Sequence, residues 1–350
     1  MKRIGIMILL ACLIMTGCAF FPNQEKPPAQ TAPCTVEMLD VGQGLCILVQ
    51  MDGEYLLYDG GGRETSSYVV RHLRDLGIRE LNYMIASHYD EDHISGLVGV
   101  LSAFEVGHVL APDYEADTKI FRSFHEKVLE CGLEPDSPDP GSSFPLGSGE
   151  ILILGPEQYD DPVENNRSIA VMLSYGAFRC LITGDAEQQE EANLVVSGRD
   201  LSADLYVAGH HGSASASTLA FIRSVSPRYV FFSCGEGNAY GHPSAKTLQT
   251  VQDAGAEIFR TDRQGGVTAY SDGTQTWFSV DPCQNWSPGN PLSAASSAAG
   301  GYVLNKRSMR FHRPDCDSVR QMSPSNREDS KATREELIAQ GYRPCGACNP

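Results

Sequence analysis

The stretch Ser87–Gly96 reads SHYDEDHISG and places two histidines and three acidic residues within six consecutive positions. It directly follows LNYMIA at 81–86, an apolar run typical of a buried β-strand. Carboxylates crowded at a strand end repel one another, and a divalent cation between them removes that repulsion. The spacing His-x-Asp-x-Asp-His therefore predicts a metal site at this strand end. The alternative interpretation is a solvent-exposed acidic loop.

The chain on both sides of this segment alternates short apolar runs with helical patterns. Runs such as CILVQ, YLLYD, ILILG and FRCLITG predict strands, because they are rich in residues that favour strands and many end at Gly or Asp. Amphipathic patterns predict helices at 67–76, 94–104, 119–131, 187–196, 217–225 and 244–254, with Ser217 and Ser244 as N-caps. A strand-rich chain with interspersed helices predicts an α/β fold whose sheets are covered by helices.

Seven further stretches carry a family resemblance. In chain order they are LDVGQG, YDGGG, ENNRSIAVML, FRCLITGD, VAGHHGS, YGHPSAKTL and RTDRQGGVT. Together with the histidine–aspartate segment they resemble the metallo-β-lactamase superfamily, whose signature is His-x-His-x-Asp-His. Asp90 stands where the second histidine is usual, and this variant is similar to the hydrolase domain of ComEC-type DNA-uptake proteins. The resemblance implies a four-layer αββα metallo-β-lactamase sandwich over residues 35–281.

The same resemblance implies a centre for two divalent cations, zinc or manganese. The implied metal ligands are His88, Asp90, Asp92, His93, Asp185 and His210. Asp185 would bridge the two cations, and Asp92, Asp185 and His242 would be the catalytic residues. His242 would contact phosphate or donate a proton at the cleft edge. Oxygen-rich ligation through Asp90 favours manganese as a rival to zinc, because carboxylates are harder ligands than imidazoles.

The substrate side of the implied centre is less regular. The histidine that the superfamily usually supplies between these motifs is missing, and NNRS occupies that region. Asn166 or Ser168 is therefore expected to face the metal or the substrate. Because adjacent residues at a strand end point in opposite directions, one residue of the His210–His211 pair is expected only to support the other. The substrate-binding candidates are Asn166, Ser168, His211, Ser213 and His242.

The implied ligands define the chemistry. Two cations about 3.5–4 Å apart lower the pKa of bound water from about 15.7 towards ~7 and stabilise charge developing on carbon or phosphorus. The predicted function is hydrolysis by a dimetal-activated hydroxide, with a phosphodiesterase or nuclease acting on DNA or nucleotides as the favoured form. One alternative is hydrolysis of a lactone, a β-lactam or another carbon ester or amide. A second is a non-catalytic surface lipoprotein that binds nucleic acid.

The first residues of the chain are typical of a signal for export and are not expected to be part of the folded domain. Lys2 and Arg3 precede an apolar stretch too short to span a bilayer, and MTGC resembles a bacterial lipobox ending at Cys18. We predict a signal peptide at 1–17, lipidation of Cys18 and a tether at 18–34. The protein is then expected on the extracytoplasmic face of the bacterial cell membrane, held by its lipid. No obligate protein partner is inferred.

The C-terminal region predicts a separate module. Residues 282–301 are rich in Pro, Ser, Ala and Gly, as in a linker, and a small unit follows at 302–350. Two close pairs of ligand-type residues suit one structural zinc ion: His312, Cys316, Cys345 and Cys348. The unit resembles the zinc-binding domain of Ada-type DNA-repair proteins, with His312 in the first cysteine position. The alternative is a disulfide between two of the three thiols.

Charge is unevenly distributed along the chain. The formal net charge is −17, whereas residues 302–350 contain nine Lys/Arg against six Asp/Glu. An acidic body binds bare nucleic acid weakly, so the basic module is the part expected to contact phosphate; the rival interpretation is a structural cap or a protein-interaction module. Six cysteines of the body are compatible with disulfides or with buried thiols: Cys34, Cys46, Cys131, Cys180, Cys234 and Cys283.

Overall fold

The computed structural model describes residues 32–289, 301–314, 316, 319, 322–332 and 334–345. The predicted signal peptide, Cys18 and most of the tether lie outside these residues, as does Cys348 of the predicted zinc site. Within the described ranges, no helix combines the length and the apolar character needed to cross a bilayer.

The first sheet combines strands from both ends of the body. Its strands are β1 (Cys34–Met38), β2 (Ile47–Met51), β3 (Glu54–Tyr58), β4 (Glu80–Ile85), β5 (Glu105–Leu110), β13 (Val267–Ser271) and β14 (Thr276–Phe278). They are ordered β14-β13-β1-β2-β3-β4-β5. The pairs β3–β4 and β4–β5 are parallel, so the carboxyl ends of these three strands share one edge.

The second sheet comes from the middle of the chain. Its strands are β6 (Ser143–Leu146), β7 (Gly149–Gly155), β8 (Ala170–Tyr175), β9 (Phe178–Ile182), β10 (Leu205–Val207), β11 (Tyr229–Phe232) and β12 (Glu257–Arg260). They are ordered β12-β11-β10-β9-β8-β7-β6. The run from β9 to β12 is parallel throughout, which again aligns carboxyl ends at one edge.

Helices cover the outer faces of both sheets. Val49 and Ile85 lie in the core between the sheets, whereas Leu48 and Met84, one residue away on the same strands, pack under helices. Each such fully buried side chain contributes about 1.5–3 kcal/mol to folding. The helices are α1 (Ser66–Asp75), α2 (Glu91–Leu101) and α3 (Lys119–Glu130) on the first sheet, and α4 (Gln188–Val196), α5 (Leu219–Val225) and α6 (Ala245–Asp253) on the second. The predicted αββα sandwich is confirmed.

Helix α2 begins earlier than the hydrophobic pattern predicts. The pattern indicates 94–104 after an acidic loop, but the helix spans Glu91–Leu101 and has Asp90 as its N-cap. Asp92 and His93 therefore lie on the first helical turn. Acidic side chains are stabilised at the positive end of a helix dipole, and this favours the early start.

One of the two predicted N-caps is observed. Ser244 caps α6, and its Oγ accepts from the N–H of Thr247 at 3.1 Å. Helix α5 is capped by Thr218 rather than by Ser217. Ser217 has a left-handed φ of 54°, and its N–H is bound by the Glu191 carboxylate, so the helix starts one residue later.

The body extends into the segment that the sequence assigns to the linker. Cys283 is buried, and the guanidinium of Arg260 donates to the carbonyls of Asn285 at 3.0 Å and Ser287 at 2.6 Å. Arg260 is itself fully buried, so its donors require acceptors, and this segment supplies them. Residues of the segment 282–289 therefore pack against the body, and the boundary at 281 stays a prediction.

The C-terminal module is a small α+β unit, as predicted. Its strands are β15 (Tyr302–Asn305), β16 (Arg310–His312), β17 (Arg327–Ser330) and β18 (Arg343–Pro344), ordered β17-β15-β16-β18, and its helix is Arg334–Ala339. Because β16 and β18 are parallel, His312 and Cys345 lie at the same sheet edge. The buried residues are few, and a core of this size needs a staple.

The structure forms no disulfide among the cysteines that it describes. Of the six body cysteines only Cys131 is exposed. Burial raises the pKa of the Cys46 and Cys180 thiols well above the ordinary value, so these thiols stay neutral and unreactive. The observation favours buried thiols over disulfides in the body.

A buried acid on α4 makes stability depend on pH. Glu190 is 3% exposed, and burial raises the pKa of its carboxyl from 4.5 to about 7. The folded state therefore holds this proton more tightly than the unfolded state, so the contribution to stability is present below pH 4.5 and is lost as the pH rises to 7. We expect Glu190→Gln to be more stable than the wild type by about 3 kcal/mol at pH 8 and equal to it near pH 4.

Urea unfolding at the two pH values measures this difference. Glu126→Gln, which changes an exposed acid on α3, is the matched control and is expected to change stability at neither pH. A Glu190→Gln protein no more stable than the wild type at pH 8 would contradict the assignment.

Candidate metal centre

Strand ends from both sheets converge on one point. Asp59 follows β3 and His88 follows β4 in the first sheet, while Asp185 follows β9 and His211 follows β10 in the second. These strands run parallel to their partners, so their carboxyl ends open at shared edges. Polar side chains at such edges are held by a rigid frame, which is what a site of fixed geometry requires.

Two groups of ligand-type atoms overlap at this point. One group is His88, His93 and Asp185, the other is Asp92, His93 and His211, and within each group the ligand atoms lie within 4.8 Å of one another. His93 Nε2 lies 3.3 Å from Asp185 Oδ1 and 3.3 Å from His211 Nε2. His93 belongs to both groups, and Asp185 of the first group has its Oδ2 3.5 Å from His211 Nε2 of the second. This arrangement suits two neighbouring cations.

A buried carboxylate fixes the shared histidine. The Oδ2 atom of Asp59 lies 2.7 Å from His93 Nδ1, and both atoms are fully buried. Asp59 also accepts from the Ser87 N–H at 2.8 Å and from the Ser87 hydroxyl at 2.7 Å. A proton on His93 Nδ1 is therefore directed at Asp59, which leaves Nε2 facing the centre.

The other two histidines of the groups are anchored in the same way. His88 Nδ1 lies 3.0 Å from the Ser87 hydroxyl. His211 Nδ1 lies 3.0 Å from the carbonyl oxygen of Ser233, which only accepts, so this nitrogen donates. In each case Nδ1 is engaged behind the ring, and the lone pair of Nε2 is available at the centre.

The centre contains buried atoms that lack hydrogen bonds. The Nε2 atom of His88 and the Oδ1 atom of Asp185 make no hydrogen bond to any residue in the described ranges. Buried polar atoms are nearly always bonded, so two such atoms at one point indicate a missing ligand. Imidazole nitrogens and carboxylate oxygens are the donors that bind zinc or manganese, and the residues present therefore fit the implied ions.

Electrostatics at the centre favour positive charge. Burial alone raises the pKa of the Asp185 carboxyl, but nearby His211, His93 and His210 outweigh burial and hold that pKa well below its usual range. Burial alone lowers the pKa of the His93 imidazole, but Asp185 and Asp59 outweigh it and raise that pKa well above the ordinary value. A metal ligand must be deprotonated, so metal binding is expected to release this proton.

The adjacent histidines after β10 both face Asp185, contrary to the expectation from strand alternation. Both have left-handed backbones, with φ of 49° at His210 and 55° at His211. Their Nε2 atoms lie 3.7 Å and 3.5 Å from Asp185 Oδ2. Alternation does not apply because the strand has already ended at Val207. Such conformations cost about 1–3 kcal/mol each and persist where the surroundings enforce them, typically at functional sites.

The two histidines of this pair differ in their relation to the ligand groups. His211 lies with Asp92 and His93, whereas His210 belongs to neither ligand group. His210 Nδ1 lies 3.2 Å from a carboxylate oxygen of Glu187, the residue that precedes α4. Both histidines line the cleft, and the geometry makes His211 the better candidate ligand, while the role of His210 as a ligand stays a prediction.

The sequence profile of the metallo-beta-lactamase superfamily matches residues 39–235, which is more than half of the chain and contains both ligand groups. The chain belongs to the metallo-beta-lactamase superfamily. The family predicted from the segment at 87–96 is thereby confirmed, and with it the four-layer fold.

Two relatives bear names from competence systems. The chain is 30% identical over 259 residues to Competence protein ComA of Neisseria gonorrhoeae, and 27% identical over 278 residues to ComE operon protein 3 of Bacillus subtilis (strain 168). Each alignment covers 73% of this chain and 35% of the relative, so the chain spans about a third of their length. The solved metallo-beta-lactamase fold protein YhfI from Bacillus subtilis matches 70% of this chain and 99% of its own, with 14% identity and a TM-score of 0.47.

The metallo-beta-lactamase centre opens into a cleft of about 480 Å³. Acidic and histidine side chains dominate the wall, and Arg63 is the single Lys or Arg among the described residues that line it. The lining residues are Gln43, Gly62, Arg63, Glu64, Asp90, Glu91, Asp92, Asp185, His210, His211, Tyr240 and His242.

His242 lies in the cleft wall, where the sequence places it. Its Nδ1 is 3.4 Å from the amide nitrogen of Gln43, which donates to it. Burial, reinforced by His210 and His211, holds the pKa of His242 well below the ordinary value, so the ring stays neutral. A neutral ring that accepts at Nδ1 carries its hydrogen on Nε2 and is therefore a hydrogen-bond donor through that atom.

The four remaining predicted site residues lie around this centre. The Asp90 carboxylate is half exposed at the cleft edge, 3.6 Å from His88 Nε2 and outside both ligand groups. Asn166 accepts from the N–H of Glu187 at 3.0 Å, and the fully buried Ser168 hydroxyl accepts from the N–H of Asp185 at 3.1 Å. The Ser213 hydroxyl bonds within its own turn.

Asn166, Ser168 and Ser213 therefore support neighbouring loops and do not line the cleft. The physical reason is satisfaction of backbone donors: the loops that carry the ligands need acceptors for their N–H groups, and these short polar side chains supply them. The Ser168 hydroxyl also lies 3.4 Å from His88 Nδ1, so it supports the centre through both His88 and the backbone of Asp185.

Several residues of the site escape prediction from the sequence. Asp59, Gln43 and Arg63 sit within or beside glycine-rich segments and carry no ligand spacing. The position of Asp59 in the sequence is a signal that could have identified it. Asp59 ends one predicted strand, and His88 follows the next predicted strand along the chain. Acidic residues at adjacent strand ends meet when the strands are parallel. Arg63 becomes recognisable only once the cleft is known.

Asp59→Asn is expected to weaken metal binding at the centre about 10–100-fold. The amide cannot hold the His93 imidazole by charge, so the Nε2 lone pair loses its fixed direction. Competition against a chelating dye measures the affinity. Asp113→Asn, a change of an exposed acid, is the matched control and should leave the affinity unchanged. Equal affinities for Asp59→Asn and the wild type would argue against a positioning role.

The C-terminal module contains a third group of ligand-type atoms. His312, Cys316 and Cys345 are 4%, 6% and 5% exposed, and their ligand atoms lie within 4.8 Å of one another. Burial and the nearby Arg310 lower the pKa of His312, which keeps its ring neutral as a ligand requires. Cys316 and Cys345 are not joined by a disulfide. One imidazole with thiolates suits zinc, so the residues fit the predicted structural ion.

Proposed function

We propose that this superfamily member is a metal-dependent phosphodiesterase that cleaves DNA or nucleotides. One observation carries the proposal: two ligand groups share His93, and Asp185 of the first group lies 3.5 Å from His211 of the second. They border a cleft in which Arg63 is the single arginine among the described lining residues. Divalent ions held by these groups, zinc or manganese, supply Lewis acidity and lower the pKa of water.

The charge of the cleft favours an anionic substrate once cations are held. Asp90, Glu91 and Asp92 line one wall with Asp185, so the bare cleft repels phosphate. Cations at the ligand groups reverse this field, and Arg63 adds a guanidinium whose planar donors match phosphate oxygens. A neutral lactone or β-lactam gains less from such a field, which is why carbon esters and amides are the second choice.

The far side of the cleft offers contacts suited to a nucleotide. The neutral His242 ring presents a hydrogen-bond donor that can bind a phosphate oxygen without carrying charge. Tyr240 is 43% exposed, and its ring stacks on His242 with centroids 5.6 Å apart. An exposed aromatic ring beside a phosphate site is a surface on which a base can stack. Similarity to the competence proteins named above also favours nucleic acid.

The proposed setting is the outer face of the cell membrane. The lipobox-like MTGC motif supports a lipid anchor at Cys18, and the basic C-terminal module is proposed to contact nucleic-acid phosphate. The module is proposed to hold one structural zinc ion through His312, Cys316, Cys345 and Cys348.

A substrate panel tests the proposal. The mature protein, loaded with zinc or manganese, is incubated with bis-p-nitrophenyl phosphate, single-stranded DNA, a cyclic dinucleotide, a lactone and a chromogenic β-lactam. We expect turnover of phosphodiesters that stops with chelation and returns with added metal. Turnover of the carbon substrates alone would establish the second choice. Nucleic-acid binding without turnover, lost on deletion of 302–350, would establish the non-catalytic alternative.

A further inference from the structure

The cleft edge that carries Tyr240 and His242 is a loop organised around one buried amide. Asn238 is 8% exposed, and its Nδ2 donates to the carbonyls of Gly235 at 2.8 Å and His242 at 2.6 Å. Its Oδ1 accepts from the N–H groups of Tyr240 at 3.2 Å and His242 at 3.0 Å. Asn238 thus binds backbone groups on both sides of Ala239 but does not bond the Ala239 carbonyl.

A side chain of the C-terminal module reaches that carbonyl. The Nη1 atom of Arg313 donates to the carbonyl oxygen of Ala239, across 74 positions of sequence. A guanidinium that binds a carbonyl makes a charge-assisted hydrogen bond, which is stronger than one between neutral groups. The contact therefore links the C-terminal module to the tip of the loop by a hydrogen bond beside Tyr240.

The turn that carries Arg313 is bounded by candidate metal ligands. Arg313 directly follows His312, and its carbonyl accepts from the N–H of Cys316 at 3.1 Å. His312 and Cys316 form the ligand group with Cys345. An ion in that group would lock this turn and with it the position of Arg313.

The chain geometry and the charges favour the contact. Gly289 donates its N–H to the carbonyl of Pro243 at 3.2 Å, so the last described residue before the connecting segment lies beside the same loop. Eleven residues separate Gly289 from Gly301, and a chain of that length spans at most about 40 Å. The module is therefore held at high local concentration near the loop. The module has an excess of basic residues and the body is acidic, so their opposite net charges add attraction.

We propose that the C-terminal module docks on the loop 235–243 through Arg313 and holds Tyr240 and His242 in place. Arg313 is a positioning residue, because it acts on the cleft through the Ala239 backbone. The module's own metal site is thereby coupled to the cleft edge, although no ligand is shared between the two. Loss of the module's ion loosens the loop while the ions of the cleft stay bound.

Hydrogen–deuterium exchange of the full chain tests this docking. In Arg313→Ala, peptides covering 235–243 should exchange at least 10-fold faster than in the wild type, while peptides from α1 are unchanged. Arg307→Ala, which removes an exposed arginine of the same module, should leave the loop protected. Equal loop exchange in Arg313→Ala and the wild type would overturn the proposal.

A second variant separates docking from folding of the module. If Arg313→Ala also exposes the module strands to exchange, Arg313→Lys decides, because a lysine can still donate one hydrogen bond to the Ala239 carbonyl. A folded module with a protected loop supports the proposal, and a folded module with loop exchange as fast as in Arg313→Ala sinks it. These measurements need no substrate, so they stand whether or not the protein proves to be a phosphodiesterase.

Discussion

Asp185→Asn is expected to abolish hydrolysis, with a loss in kcat of at least about 10³-fold, since one electrostatic contact to a transition state can already be worth about 10²–10³. Asp185 is 4% exposed and faces His93 and His211 with different oxygens, at 3.3 Å and 3.5 Å. Asparagine keeps the shape but has one neutral oxygen, which cannot serve two cations. Both ions of the cleft should therefore bind more weakly.

Initial rates with bis-p-nitrophenyl phosphate and metal content by mass spectrometry measure this effect. Asp117→Asn is the matched control, because the Asp117 carboxylate is fully exposed and pairs with Arg122 on the surface. The control should keep the wild-type rate and metal content. An Asp185→Asn enzyme that retained both would mean that the centre described here is not the place of the chemistry.

His211→Ala and His210→Ala are expected to differ sharply. His211 Nε2 lies 3.4 Å from Asp92 Oδ2 and 3.3 Å from His93 Nε2, so its removal takes one of three ligand-type side chains from a group. We expect His211→Ala to lose one cleft ion and about 10³-fold in rate, by the same reasoning as for Asp185. His210→Ala should retain both ions and lose less than about 10²-fold, the lower bound for a proton-transfer group.

Metal-to-protein ratios on the two variants decide between the histidines. Each variant is the control for the other, because the residues are adjacent and share the left-handed turn. A His210→Ala protein that loses an ion while His211→Ala keeps both would restore the assignment made from the sequence. The ion of the C-terminal module should be unchanged in both variants and serves as the internal standard.

Features of the site that depend on residue spacing can be predicted from the sequence, whereas the directions in which side chains point cannot. His88, Asp92 and His93 are recognisable because their spacing after an apolar strand is unusual, and the strand itself is predicted by composition. The roles of His210 and His211 depend on two φ angles in one turn, which no local pattern encodes. The start of α2 likewise depends on acidic residues that suit both a loop and a helix N-terminus.

Residues that hold the candidate ligands in place cannot be predicted from the sequence for a different reason. Asp59 meets His93 only because β3 and β4 are parallel neighbours, a fact of sheet order rather than of sequence. Ser168 lies near the centre, as the sequence suggests, yet its hydroxyl accepts from the backbone N–H of Asp185 and contacts His88 Nδ1 instead of facing the cleft. A motif can predict that a residue lies near the metal centre. Which hydrogen bond a short polar side chain makes there depends on the backbone donors and acceptors around it that still lack a partner.

The centre draws its side chains from both sheets, and this has a consequence beyond chemistry. His93 and Asp185 are roughly a hundred residues apart, and an ion held between them closes that long stretch of chain as a removable cross-link. Such binding stabilises the native state by about 2.7 kcal/mol when the free ion is at a hundred times its dissociation constant. Scarcity of the metal would thus shorten the lifetime of each molecule against proteases, so the supply of metal would govern abundance as well as activity.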